Sequence, residues 1–280
     1  MSDIQTILNR AFQHADEHDW EGMAGILTEG LETDPDDPHL LCWLGVAEQE
    51  MGNEGAAYER FKQALAQQPE DPRLLAIAGT GLAAFDDPEA EGVLRTAAML
   101  GPELAEARWR YGAYLSREGF WDDALKELAA AVELDPEDAT VATEVGVALA
   151  LKGSMDAAAD AFDRAARLDP DDGWPRVLLG LTLLEADRLE EAVGELDRGA
   201  RALPLDPEAQ LLVALSAAAS GWDDLATEML ERARQTAGGR DRAAVEEADD
   251  RILDGPEAAR TFLLESVAPG ALHQRLMARP

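Results

Sequence analysis

The chain repeats itself every 33 or 34 residues from its start to about residue 236. One register holds Ala11, Gly45, Gly79, Gly112, Gly146, Gly180 and Ala214. A second holds Met23, Ala57, Ala90, Ala124, Ala158, Ala192 and Leu225. A third holds Leu27, Phe61, Leu94, Leu128, Phe162, Leu196 and Met229, and prolines 35, 69, 102, 136, 170 and 204 mark a fourth. A fixed period of this length belongs to a stack of supersecondary units, each touching only its neighbours. It overrides the expectation of roughly two ordinary domains that a length of 280 would otherwise suggest.

The unit from Ala139 to Pro170 shows what the repeat is made of. Apolar residues at 142, 145, 146 and 149 recur at steps of three and four, the mark of a helical face. Lys152-Gly153 breaks the run, since glycine supplies the left-handed conformation that ends a helix. Ser154 to Leu168 places Ala158, Phe162 and Ala165 on a second stripe, with Ser154 a candidate cap. Asp169-Pro170 stops it, because proline disfavours helix for the residue before it. Gly146 and Ala158 fall where the two helices would cross, and Leu149 and Phe162 fill the space beside them. No stretch alternates with the period of a strand, so the fold is expected to be all-α.

These positions resemble the tetratricopeptide repeat. Leu44-Gly45, Ala57, Phe61, Ala64 and Pro69 match its pattern in the second copy. Tyr111-Gly112, Leu115, Ala124, Leu128, Ala131 and Pro136 match in the fourth. Val145-Gly146, Leu149, Ala158, Phe162, Ala165 and Pro170 match in the fifth. The resemblance implies a right-handed α-solenoid of stacked antiparallel helix pairs: seven repeats over residues 1–236, the first and seventh degenerate, then capping helices over 237–280. Copies three and seven are each one residue short, with turns marked by Asp86-Asp87-Pro88 and Ser220-Gly221. Trp20, Trp121 and Trp222 share one slot three units apart, and bulky aromatics there read as packing residues. After Ala237-Gly238-Gly239, helices are expected over 240–253, 256–267 and 271–278. The helix carrying Phe262 is expected to pack on the seventh unit, with Arg275 and Arg279 docking on nearby carboxylates.

The resemblance also implies the function, a non-catalytic scaffold that binds a peptide or helix of another protein in a groove lined by the first helix of each unit. Carried over, the lining includes Trp43, Arg73, Ile77, Trp109, Arg110 and Arg117. It continues through Val147, Leu151, Trp174, Leu178 and Leu181 as an apolar lane. Arginine forks suit carboxylates, and the lane suits an apolar helix or is covered by the chain's own C-terminal helices. Chaperone-docking members of the family hold a terminal carboxylate with Lys and Asn. Those positions here carry Cys42, Val46, Ala76 and Thr80, which argues against that ligand. The alternative role is an assembly factor shielding an apolar segment of one basic client.

Charge bounds the partner. The formal net charge is −33 from 24 basic and 57 acidic residues. That argues against nucleic acid and against an anionic membrane surface, and permits a basic protein. Only Lys62, Lys126 and Lys152 are lysines. Abundant acid with scarce lysine resembles the proteins of salt-loving microbes. One cysteine, Cys42, excludes an intrachain disulfide and fits the reducing cytoplasm. The N-terminus has no secretory pattern, and no apolar run is long enough for a membrane span.

Other chemistry is weakly signalled. His14 and His18 lie one helical turn apart, but no third ligand falls in register. Asp34-Pro35-Asp36-Asp37 and Asp169-Pro170-Asp171-Asp172 lack the glycine and terminal glutamate of a calcium loop and read as caps. No phosphate-cradling loop or nucleophile elbow occurs, so no cofactor and no enzyme activity is expected.

Overall fold

A computed structural model describes residues 2–239 and 241–278. Helices come in consecutive pairs: α1 (Ser2–Asp16) with α2 (Trp20–Thr33), α3 (Pro38–Glu50) with α4 (Glu54–Ala66), and α5 (Pro72–Ala83) with α6 (Ala90–Leu100). They continue as α7 (Ala105–Arg117) then α8 (Trp121–Leu134), α9 (Ala139–Leu151) with α10 (Met155–Leu168), α11 (Trp174–Glu185) with α12 (Leu189–Ala202), and α13 (Pro207–Ala219) with α14 (Asp223–Thr236). After these come α15 (Asp241–Leu253), α16 (Pro256–Phe262), a π-helical turn (Leu263–Val267) and α17 (Ala268–Met277). The described residues contain no strand. The fold is all-α, an array of stacked helix pairs of the tetratricopeptide solenoid class. Each of the six periodic prolines lies between the second helix of one pair and the first of the next.

The periodic small residues are there because the helices cross tightly. A methyl group added at Gly146 would sit 2.5 Å from the Phe162 ring, and one at Gly45 would sit 2.8 Å from Phe61. At Gly180 it would meet Leu196 at 2.5 Å. Phe61, Phe162, Leu94, Leu128 and Leu196 are fully buried. Deleting such a side chain removes its transfer energy and leaves a cavity. The repeat is thus a lock between a glycine on the first helix and a large apolar residue on the second.

Aspartates start many of the helices. Asp37 accepts from the backbone N–H groups of His39 and Leu40, Asp71 from Arg73, Asp138 from Thr140 and Val141, and Asp206 from Ala209. Each satisfies donors that a helix N-terminus leaves unpaired. The Asp-Pro-Asp-Asp runs belong to this scheme: Asp169 accepts from the N–H groups of Asp171 and Asp172. Gly153 ends its turn at φ +87°, the left-handed region open to glycine.

The chain forms two compact units, one ending at Tyr114 and the other running from Leu115 to Ala278. In the second unit, residues 241–278 share one apolar cluster with the late repeats, including Leu212, Leu215, Leu263 and Leu272.

Three local expectations fail. Ser154 makes no side-chain cap; the α10 start takes its helix bonds from the backbone alone. Trp121 and Trp222 are 39% and 45% exposed, so they are not core residues. They sit at helix starts, ahead of the first buried positions Ala124 and Ala226. The helix expected to begin at Ala271 instead runs back without a break through Pro269 to α16. A proline ring cannot fit against the carbonyl of the residue four before it. The wider π turn at 263–267 precedes Pro269 and absorbs that misfit, with the Ala268 N–H reaching the Leu263 carbonyl. Arg240 and Arg279 lie outside the described residues.

Candidate functional site

In the first unit, α1, α3 and α5 lie side by side and wall a cavity of about 410 Å³. Phe12, His39, Trp43, Asp71, Arg73 and Ile77 contribute to its lining. Phe12 and Trp43 meet edge to face, with ring centroids 4.8 Å apart, a geometry set by the ring quadrupoles. Also in the lining, His39 Nε2 lies 3.1 Å from Asp71 Oδ2. Burial pushes the Asp71 carboxyl up, but the N–H groups of Arg73 and Leu74 and the His39 ring outweigh it and hold its pKa below the usual value. The cavity therefore keeps a negative group beside an apolar wall.

Arg73 and Arg110 converge on one carboxylate. Arg73 Nε lies 3.3 Å from Glu106 Oε2, and Arg110 Nε lies 3.2 Å from Glu106 Oε1. Arg110 also donates to Thr80 Oγ1 at 3.4 Å and stacks 4.6 Å from the Trp109 ring. Burial lowers the Arg110 pKa, opposed by the Glu106 carboxylate. Cys42 is buried behind this wall, and burial pushes its thiol up to about 12. A thiol held protonated in this way is a poor nucleophile.

In the second unit the equivalent helices α9, α11 and α13 are not bare. α16 packs on α13, and α17 runs along α11 and reaches α9. Val147, Leu178 and Leu181 are fully buried, and Leu151 and Trp174 are partly buried against the same cluster. Arg275 is 5% exposed as a side chain; its guanidinium lies 2.6 Å from Asp206 Oδ2, 2.9 Å from Glu208 Oε2 and 4.8 Å from the Trp174 ring. Arg117 holds Glu144 through two bonds of 2.7 and 3.1 Å, the two side chains being 3% and 5% exposed. Its Nε donates to the Ala278 carbonyl at 2.8 Å.

The eleven residues expected to line one groove thus have separate fates. Trp43, Arg73 and Ile77 meet around the first cavity, with Arg110 and Trp109 joined to them through Glu106. Arg117 is held by Glu144 in the other unit. Val147, Leu151, Trp174, Leu178 and Leu181 lie in or against the apolar cluster that the chain's own C-terminal segment shares. Sequence reading missed Phe12, His39, Asp71 and Glu106. Phe12 and His39 stand on the helical faces that periodicity picks out, but charged partners such as Glu106 carry no periodic signal. Elsewhere, His14 Nδ1 lies 2.6 Å from Asp19 Oδ2, a carboxylate already capping α2. Among the described residues, no three potential metal ligands cluster, and no helix is long and apolar enough to cross a membrane.

The comparison with curated proteins gives no match. Two models of the tetratricopeptide repeat match residues 112–173 and 149–215. Among solved structures, a tetratricopeptide repeat protein from Parabacteroides merdae is 12% identical, with 92% of this chain and 99% of that one covered at a TM-score of 0.61. The Pseudomonas aeruginosa pilF structure is 19% identical, covering 75% and 96% at 0.59. The Cut9–Hcn1 hetero-tetramer of APC/C is 16% identical, covering 84% of this chain and 48% of the matched one at 0.67. At such identities these structures share the fold. The glycine-to-phenylalanine locks, the proline spacing, the family models and the shared fold all lead to one conclusion: this is a tetratricopeptide repeat protein.

Proposed function

We propose that the protein is a non-catalytic interaction scaffold that binds a peptide or helix of a basic partner protein in the face of α1, α3 and α5. The observation that carries this reading is the cavity lined by both the Phe12–Trp43 ring pair and the His39–Asp71 pair. An apolar side chain seats against the rings while a cationic one meets Asp71, whose carboxylate is kept ionised. The net charge of −33 speeds encounter with such a partner. In this reading residues 1–236 form the binding array, residues 237–280 cap it, and the protein works in the cytoplasm.

The second reading, an assembly factor shielding an apolar segment of one basic client, draws on the leucine-rich wall of α11. The two are separated by affinity capture on the full-length protein and on its Trp43→Ala and Asp71→Asn variants, at low and high salt, with mass spectrometry of retained proteins. The scaffold reading expects partners to be lost from both variants and weakened by salt. Retention of the same proteins by all three baits would move the binding site away from this cavity.

A further inference from the structure

The segment lying on α9, α11 and α13 has a charge unlike the rest of the chain. Residues 256–280 carry Arg260, Arg275 and Arg279 against Glu257 and Glu265, in a protein of net charge −33. Leu263, Ala268, Ala271, Leu272 and Leu276 are its buried apolar side, in one cluster with Leu178, Leu181 and Leu212. Polar attachments fasten it as well. Arg260 meets Asp187 at 2.9 Å, Arg275 meets Asp206 and Glu208, and the Ala278 carbonyl accepts from Arg117. An amphipathic helix on an apolar face with its cations on neighbouring carboxylates is the helix-in-groove mode of recognition, here built within one chain.

The segment is a poor helix for that task. Pro269 and Gly270, the weakest helix formers, lie in its middle. The π turn interrupts it. It leaves α15 through Gly255 at φ +112°, a conformation that other residues rarely adopt. A basic amphipathic helix without these defects costs less to order on the same face.

We propose that the α9–α11–α13 face is a docking surface for a basic amphipathic helix of a partner protein, and that residues 256–278 are its resident occupant, displaced when the partner binds. This inference is independent of the cavity in the first unit. The probe is a fluorescein-labelled synthetic peptide of residues 256–280. In the full chain, Leu272→Asp with Leu276→Asp unseats the resident segment. The peptide is expected to bind this variant at least about tenfold more tightly than wild type, whose face is already filled. A peptide with Pro269→Ala and Gly270→Ala is expected to bind tighter still. Adding Asp206→Asn and Glu208→Gln to the variant, or raising potassium chloride, is expected to weaken binding.

Hydrogen exchange on the wild-type protein tests release without any variant, since amides of 256–278 should exchange together and faster than those of α11. A helical variant that fails to bind the peptide overturns the docking surface. Exchange of the tail only at the α11 rate overturns its release, and decides the matter if the variant does not fold. Concentration-dependent exchange of tails between wild-type chains would assign the face to a second copy instead.

Discussion

The first helices of the early and the late pairs carry different chemistry at the same repeat positions. In α3 and α5 the exposed registers mix Trp43, Arg73 and Ile77 with the His39–Asp71 pair. In α11 and α13 the positions matching Trp43 and Ile77 hold Leu178 and Leu212, buried together with Leu181 and Leu215, and Trp174 stands at the position of Arg73. A mixed wall is compatible with water and stands open as a cavity. A continuous leucine wall is an exposed patch of the kind monomers rarely tolerate, and this chain covers it with its own segment. The lesson is that one backbone plan sets the position of a face, while side chains decide whether it is left open or filled.

The largest expected effects test whether the same packing lock holds in each unit. Phe61→Ala and Phe162→Ala should each cost about 3–5 kcal/mol in denaturant titration, as both rings fill the space over a glycine. A loss under about 1 kcal/mol at either site would show that the repeats are not equivalent there. Cys42 sharpens the comparison from the first unit's side. With its thiol pushed up to about 12, the thiolate at pH 8 is about one part in ten thousand, so alkylation should run more than about a thousandfold slower than in unfolded chain. Rapid labelling of the native protein would mean that the wall behind the cavity opens readily.

Smaller effects separate the arginines. Arg275→Ala should cost about 1.5–3 kcal/mol, since it removes charged hydrogen bonds from a buried site. Arg73→Ala should cost less than about 1 kcal/mol, because its side chain is mostly exposed. Equal losses would erase the contrast between a filled and an open face. The smallest effect is acid-dependent. The Glu89 N–H, then the Tyr58 hydroxyl and the Lys62 ammonium, hold the Asp87 carboxyl below its ordinary value. A lowered folded pKa gives stability that is present above the unfolded pKa of about 3.9 and lost as pH falls through the folded value. The stability advantage of wild type over Asp87→Asn should therefore be steady at neutral pH and shrink below about pH 4. A gap unchanged down to pH 2 would remove Asp87 from the ledger.

Much of the fold was legible because the repeat forces the same contact several times. Gly45, Gly146 and Gly180 each meet a large side chain of the paired helix, and the prolines fall between pairs. The C-terminal segment was less legible. Phe262 and Arg275 signalled that it packs, but Pro269-Gly270 suggested a break where the helix continues through a π turn. Propensity is local, and burial of Leu263 and Leu272 outweighed it. The candidate site was legible by helix and illegible by partner. Periodicity located Trp43 and Ile77, whereas the convergence of Arg73 and Arg110 on Glu106 depends on distances that no spacing rule fixes.

The aspartates that start the helices divide the protein's acidity into two kinds with different freedom to vary. Exposed glutamates on helix faces, such as Glu133, are open to exchange when a surface is recharged for solubility or crystallisation. Asp37, Asp71, Asp138 and Asp206 are not, because each holds backbone donors that a lysine or glutamine would leave unserved. A redesign that neutralises acids at random will therefore melt helix starts before it changes the field. A redesign that spares these positions can shed much of the charge and keep every turn.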